Sequence, residues 1–112
     1  MAEKALMQDK LSRQSIANFK LFDQQATEVG AAAEKLPAVA MNYRKGMFIY
    51  NMETAGTYVY LGASDVTGNS TEATGGFPLN GGTYMFIELD GSVDLYAISA
   101  GGNVTVHTLE VG

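Results

Sequence analysis

The residues able to do chemistry are few and scattered. One histidine, His107, lies in the last apolar stretch, and no partner stands near it in sequence at triad or metal-ligand spacing. It reads as a structural or exposed side chain. The carboxylates Asp65, Glu72, Glu88, Asp90 and Asp94 are spread through turns and strand ends. Glu88, Asp90 and Asp94 could gather about one turn and offer oxygens to a Ca²⁺ ion, but they do not follow the EF-hand order. A carboxylate pair for glycoside hydrolysis is a matter of tertiary geometry, and nothing beyond the presence of carboxylates points to one. There is no cysteine, hence no thiolate for catalysis or zinc and no disulfide. Gly75-Gly76 and Gly81-Gly82 are turn glycines and do not open a helix after a strand, as a phosphate cradle would. The expectation is a protein that is not an enzyme and holds neither metal nor cofactor.

Tyrosine is the more informative residue. Tyr50, Tyr58, Tyr60, Tyr84 and Tyr96 all fall in stretches of strand character. Aromatic side chains pack with β-branched neighbours across a sheet, and their hydroxyls suit interfaces.

The stretches that carry them alternate with a period of two. Gly56 to Leu89 holds two such runs, Thr57–Leu61 and Thr83–Leu89, about a long segment rich in Gly, Ser, Thr and Asn. Arg44–Met52 predicts a further strand with Met47, Ile49 and Asn51 on one face and Phe48, Tyr50 and Met52 on the other. Both faces are largely apolar, so the strand is central or is covered by a partner. Glu53–Gly56 predicts a turn that makes a hairpin with Tyr58–Leu61. Within the Gly62–Gly82 loop, Phe77-Pro78-Leu79 is an apolar island, either a plug at one end of the domain or an exposed contact. Asp90-Gly91 turns the chain into Val93–Ile98, and Ala100–Asn103 turns it into Val104–Val111. In that last run the apolar phase shifts between Val106 and Leu109, which predicts a bulge near His107-Thr108.

The N-terminal part differs in kind. Residues 1–15 are helix-compatible, with Ala5, Leu6, Leu11 and Ile16 making a ragged apolar face, and residues 1–17 read as an arm. Phe19–Gln24 is weakly strand-like. Residues 30–37 suit a short helical turn stopped by Pro37 or a connector ending in an extended Leu-Pro step. The whole predicts an all-β domain over residues 18–112, a small sandwich or barrel of about five to seven antiparallel strands behind the arm.

At 112 residues the core is modest, and the formal net charge is −5. The seven Lys and Arg residues include none after Lys45, which argues against a nucleic-acid surface. No apolar run is long enough to span a membrane, and the N-terminal stretch has no signal-peptide core, so synthesis in a cytosol is expected. A small β domain without disulfides, apolar on both faces of a strand and with sheet edges to hide, is expected to self-associate.

From Ala31 to Glu110 the chain resembles the small structural proteins encoded beside the head genes of tailed bacteriophages, of the head-decoration, cement or head-fibre type. The resemblance rests on an ordered set of pieces. Ala33-Glu34-Lys35-Leu36-Pro37 is followed by Arg44-Lys45 opening an apolar strand. Then come Val59-Tyr60-Leu61-Gly62-Ala63-Ser64-Asp65-Val66-Thr67, Gly76–Leu79 with Gly82, Leu95–Gly102 with Asn103, and Val104–Val106 ending in Leu109-Glu110. Two departures are the Gly68–Thr74 insertion and the extension at residues 1–16, and both bear on the mode of attachment.

The resemblance implies a virion structural role and favours the strand at Phe19–Gln24, with the arm reaching onto the shell or a neighbouring subunit. The implied partner is the major capsid protein, bound by a homo-oligomer, a trimer foremost, at threefold positions on the phage head. Candidate contacts are Leu6, Leu11 and Ile16 of the arm, the strand residues Phe48 and Tyr50, and Phe77. The competing expectations are a phage tail, connector or fibre component; a glycan-binding module using Tyr58, Tyr60 or Phe77; and an oligomeric β domain of unrelated role.

Overall fold

The computed structural model describes residues 19–69 and 71–112. The N-terminal arm and its candidate contacts Leu6, Leu11 and Ile16 lie outside the described residues. What is described is an all-β sandwich of eight strands, without helix among the described residues. In chain order they are β1 (Phe22–Val29), β2 (Glu34–Leu36), β3 (Gly46–Asn51), β4 (Tyr58–Gly62), β5 (Phe77–Asn80), β6 (Tyr84–Glu88), β7 (Leu95–Ser99) and β8 (Val104–Val111). They form two four-stranded antiparallel sheets, β1-β8-β3-β6 and β2-β7-β4-β5.

Alternation of side chains sets what each sheet buries. Met47 and Ile49 of β3 and Val104 and Val106 of β8 face inward from the first sheet. Val59, Leu61, Leu79 and Ala97 meet them from the second. All are nearly or wholly excluded from water, and each of the larger side chains contributes roughly 1.5–3 kcal/mol by that burial.

Several sequence expectations change here. The predicted β3–β4 hairpin does not form, because the two strands belong to different sheets. The cause is at Asn51, fully buried at the end of β3. Its Nδ2 donates to Thr57 O (3.0 Å) and Leu79 O (2.9 Å), and its Oδ1 accepts from Glu53 N (3.0 Å). The amide thus ties the first sheet to the second, and the chain crosses between them through Gly56 at φ 96°. The close approach of Gly81 to the Thr54 carbonyl completes this corner. A Cβ on Gly81 would stand 2.0 Å from that oxygen.

The Gly62–Gly82 segment is less of a loop than expected. Phe77–Asn80 is β5, paired to β4 in the register Val59↔Leu79 and Leu61↔Phe77. Leu79 joins the core, whereas Phe77 is 63% exposed, so the apolar island is neither simply a plug nor simply a knob. Residues 30–37 take the extended alternative, with β2 running into a cis Leu36–Pro37 bond. The weak strand expected at Phe19–Gln24 is instead the eight-residue β1, shifted toward the C-terminus because β8 offers it a partner along its whole length.

The predicted bulge near His107-Thr108 is absent. β8 pairs without interruption from Phe22↔Val111 to Val29↔Val104. The inward positions after Val106 are occupied by Thr108 and Glu110, both buried, while Leu109 faces out. A buried carboxylate is tolerable because a guanidinium meets it. Arg44 Nη1 donates to Glu110 Oε2 at 2.8 Å, and Met41 N donates to the same oxygen at 2.9 Å. The rest of the guanidinium donates to backbone: Nε to Leu89 O (3.1 Å), Nη2 to Asp90 O (3.0 Å) and Val93 O (2.6 Å). Arg44 therefore anchors the β6–β7 connection to β8.

Candidate functional site

The outer face of the first sheet has the composition of an interface. Phe48 and Tyr50 of β3 alternate with the core residues Met47 and Ile49 and so point to the opposite side of the sheet. The register sets Phe86 of β6 opposite Phe48 and Tyr84 opposite Tyr50, while β8 places Leu109 and His107 on the other flank of the same two residues. Cross-strand aromatic pairs of this kind pack directly. The Phe48 and Phe86 ring centroids are 4.7 Å apart at an interplanar angle of 47°.

Gly46 makes this packing possible. A Cβ there would stand 2.4 Å from Phe86 Cζ, so the ring lies over the glycine. Phe19 follows on the far side, its ring centroid 6.2 Å from that of Phe86. The chain reaches this point by crossing the sheet end, where Lys20 N and Leu21 N both donate to Gly112 O. Phe22, at the start of β1, completes the row beside Val111.

The aromatic rings are well exposed: Phe22 64%, Tyr84 69%, Tyr50 38%, Phe86 37% and Phe48 36%. With about 200 Å² for a whole aromatic side chain, these five leave on the order of 500 Å² in water. That is near the upper end of the largest apolar patch on ordinary monomers. Toward the Thr105 end of β8 the face turns polar, with Gln24 opposite Leu109, Ala26 opposite His107 and Glu28 opposite Thr105.

Of the sequence candidates, Phe48 and Tyr50 come together here and Phe77 does not. Phe77 lies on an edge strand of the other sheet, in the inward register beside Leu61. There it borders an apolar groove of about 300 Å³ between the sheets, with Met85, Ile87 and Leu95 on its walls. Tyr84 stands among the tyrosines that the sequence marks as interface-suited, whereas Phe22, Phe86 and Leu109 join this face without being marked there as contacts. Thr83–Leu89 carried the signal, since Tyr84 and Phe86 alternate with the apolar Met85 and Ile87. Leu109 was hidden by the expected bulge.

The groups considered for chemistry remain apart. His107 is exposed on the outer face between Ala26 and Tyr50. Asp94 lies 4.0 Å from Lys35. Asp90 accepts a hydrogen bond at Oδ1 from Ser92 N (2.8 Å), and its hydrogen bonds to Ser92, with the nearby Arg44 charge, hold its carboxyl below the usual value. Among the described residues, no three His, Asp or Glu side chains are grouped so as to hold a metal ion. Tyr58 and Tyr60 lie side by side on the outer face of β4, in the second sheet, with ring centroids 6.4 Å apart.

No family model matches this chain, and no curated protein and no solved structure shows significant similarity to it.

Proposed function

We propose that this chain is a structural component of a bacteriophage particle, a cement or decoration protein. In this reading it binds the outer surface of the capsid and stabilises contacts between capsomers. The observation that carries the reading is the aromatic outer face of the first sheet, Phe22–Phe48–Phe86–Tyr50–Tyr84, set on a rigid sandwich. The ordered motif resemblance supplies the particle and the capsid partner.

Magnitudes indicate how such a face would be used. Covering about 500 Å² of apolar surface is worth roughly 12 kcal/mol gross at 25 cal/mol per Å², against about 4–15 kcal/mol for losing translational and rotational freedom. One copy would therefore bind weakly. Several linked copies bind far better, because each further contact is intramolecular. A homo-oligomer, a trimer foremost, bridging capsomers around a threefold position meets that requirement. The protein's work is then mechanical: added interface that resists pressure from packaged DNA.

The test is quantitative protein composition of purified virions, with the chain deleted and then added back. Many copies per head, with deleted particles that leak DNA on heating and recover on addition, are the expected result. A few copies at one vertex would assign the chain to a connector, tail or fibre instead. Absence from the particle would overturn the reading.

A further inference from the structure

A second surface, on the opposite side of the sandwich, has different chemistry. Beside the Tyr58 and Tyr60 rings, inclined to one another by 31°, runs a groove of about 290 Å³. It is lined by the two rings with Gly56 and Thr57 and, as its far wall, by Ser99 and the turn Ala100-Gly101-Gly102 between β7 and β8, together with Val104. No charged side chain lines it.

The far wall is held in place from beneath. Ser99, buried, donates its hydroxyl to Gly102 O (2.7 Å) and Gly101 O (3.2 Å), while its backbone N donates to Gly30 O (2.9 Å). The two glycines at the rim are not explained by the fold. Neither is in the left-handed region, and a Cβ on either would meet nothing within 4 Å. Gly56 and Gly81 differ: one has φ 96° and the other packs against the Thr54 carbonyl. What the bare backbone of Gly101-Gly102 does is keep the rim of the groove open.

We propose that this groove binds a neutral carbohydrate, a pyranose seated with its C–H face on Tyr58 and Tyr60 and its hydroxyls toward the Ala100–Gly102 turn and Thr57. The class follows from the lining. Absence of charge disfavours a phosphate, a carboxylate ligand or a cation. The mixture of aromatic faces, hydroxyls and turn backbone suits a ligand that is apolar on one side and polyhydroxylated on the other. The groove at Phe77, lined by Leu61, Met85, Ile87 and Leu95, has no such polar set. The volume is at the small end for ligand sites, about 300 Å³, which fits one or two rings and no large ligand.

The site is independent of the capsid role, so either can fail without the other. The test is an array of neutral and anionic glycans probed with the full chain, followed by ¹⁵N NMR titration with the best neutral oligosaccharide up to roughly 10 mM, enough to see a millimolar Kd. The expected result is saturable shifts centred on Tyr58, Tyr60, Gly101 and Gly102. Tyr58→Ala should weaken binding at least about tenfold, a loss of roughly 1.4 kcal/mol. Gly102→Leu should abolish binding by filling the groove while the thermal midpoint stays unchanged, which separates loss of site from loss of fold. Tyr84→Ala, on the other sheet, should bind as the parent does. No neutral glycan bound, binding confined to anionic glycans, or binding indifferent to Gly102→Leu would each overturn the proposal.

Discussion

Arg44 Nη1 lies 2.8 Å from Glu110 Oε2, and both side chains are almost wholly withdrawn from water. The pair joins a residue two positions before β3 to the penultimate residue of β8, and the same guanidinium holds the carbonyls of Leu89, Asp90 and Val93. Glu110 Oε1 and Thr108 Oγ1 are buried without a hydrogen-bond partner among the described residues. Polar atoms thus occupy the end of the core that hydrophobic side chains would otherwise fill. Arg44→Met or Glu110→Leu, each leaving the other charge buried and unpaired, should cost about 3–5 kcal/mol. The double variant should recover most of that loss, since the cost of two desolvated ions disappears with them. Urea denaturation of the three variants measures it, and additive losses would contradict the pairing.

The corner built by Asn51 and Gly81 links the two sheets. Asn51→Ala strands the carbonyls of Leu79 and Thr57, and should destabilise by about 2–4 kcal/mol. In hydrogen exchange, β5 should open before the rest of the sandwich. Gly81→Ala forces a methyl group against the Thr54 carbonyl and should exceed the roughly 1–3 kcal/mol usual for overpacking. The same change at Gly101, where the space is open, should stay within about 0.5 kcal/mol.

On the aromatic face, Phe22→Lys and Tyr84→Lys alter side chains that are more than half exposed. Each should move stability by no more than about 1 kcal/mol. Under the proposed role, the double variant should nonetheless fail to rebind particles lacking the protein. Sedimentation of mixed particles reads the binding, and a thermal melt confirms the fold. Normal rebinding would remove this face from the capsid contact.

Asp90 supplies a pH prediction. Its carboxyl accepts hydrogen bonds from Ser92 and lies near the Arg44 charge, so its folded pKa is below the ordinary value of 3.8. A lowered folded pKa means that the unfolded chain binds the proton more readily. The stabilisation is therefore present above the unfolded pKa and is lost as pH falls through the folded one. An NMR titration of the Asp90 carboxyl should give a midpoint below the ordinary value. Ser92→Ala keeps the backbone N–H but removes the hydroxyl, and should return the midpoint part of the way.

How far this protein could be read from its residues depends on whether local alternation agreed with tertiary demand. In Met47–Met52, Tyr58–Leu61 and Tyr84–Leu89 each side chain's face follows from its parity, and an all-β class followed from those runs and their glycine-rich turns. Phe48 and Tyr50 were legible as outward residues for the same reason. Short strands carried too little pattern: β2 has three residues, and β5 begins Phe-Pro, so both depend on β7 and β4 to exist as strands. The β3–β4 connection looked like a hairpin because a turn's composition does not say which sheet the next strand joins. Asn51 decided that, through bonds to groups 6 and 28 residues away. The end of β8 was misread because Glu110 has the character of a surface residue. Only the arrival of Arg44, 66 positions earlier in the chain, makes its burial affordable. Alternation determined which side chains share a face. Pairing between distant strands decided which faces meet, which are left to water, and therefore where this molecule has surface to offer a partner.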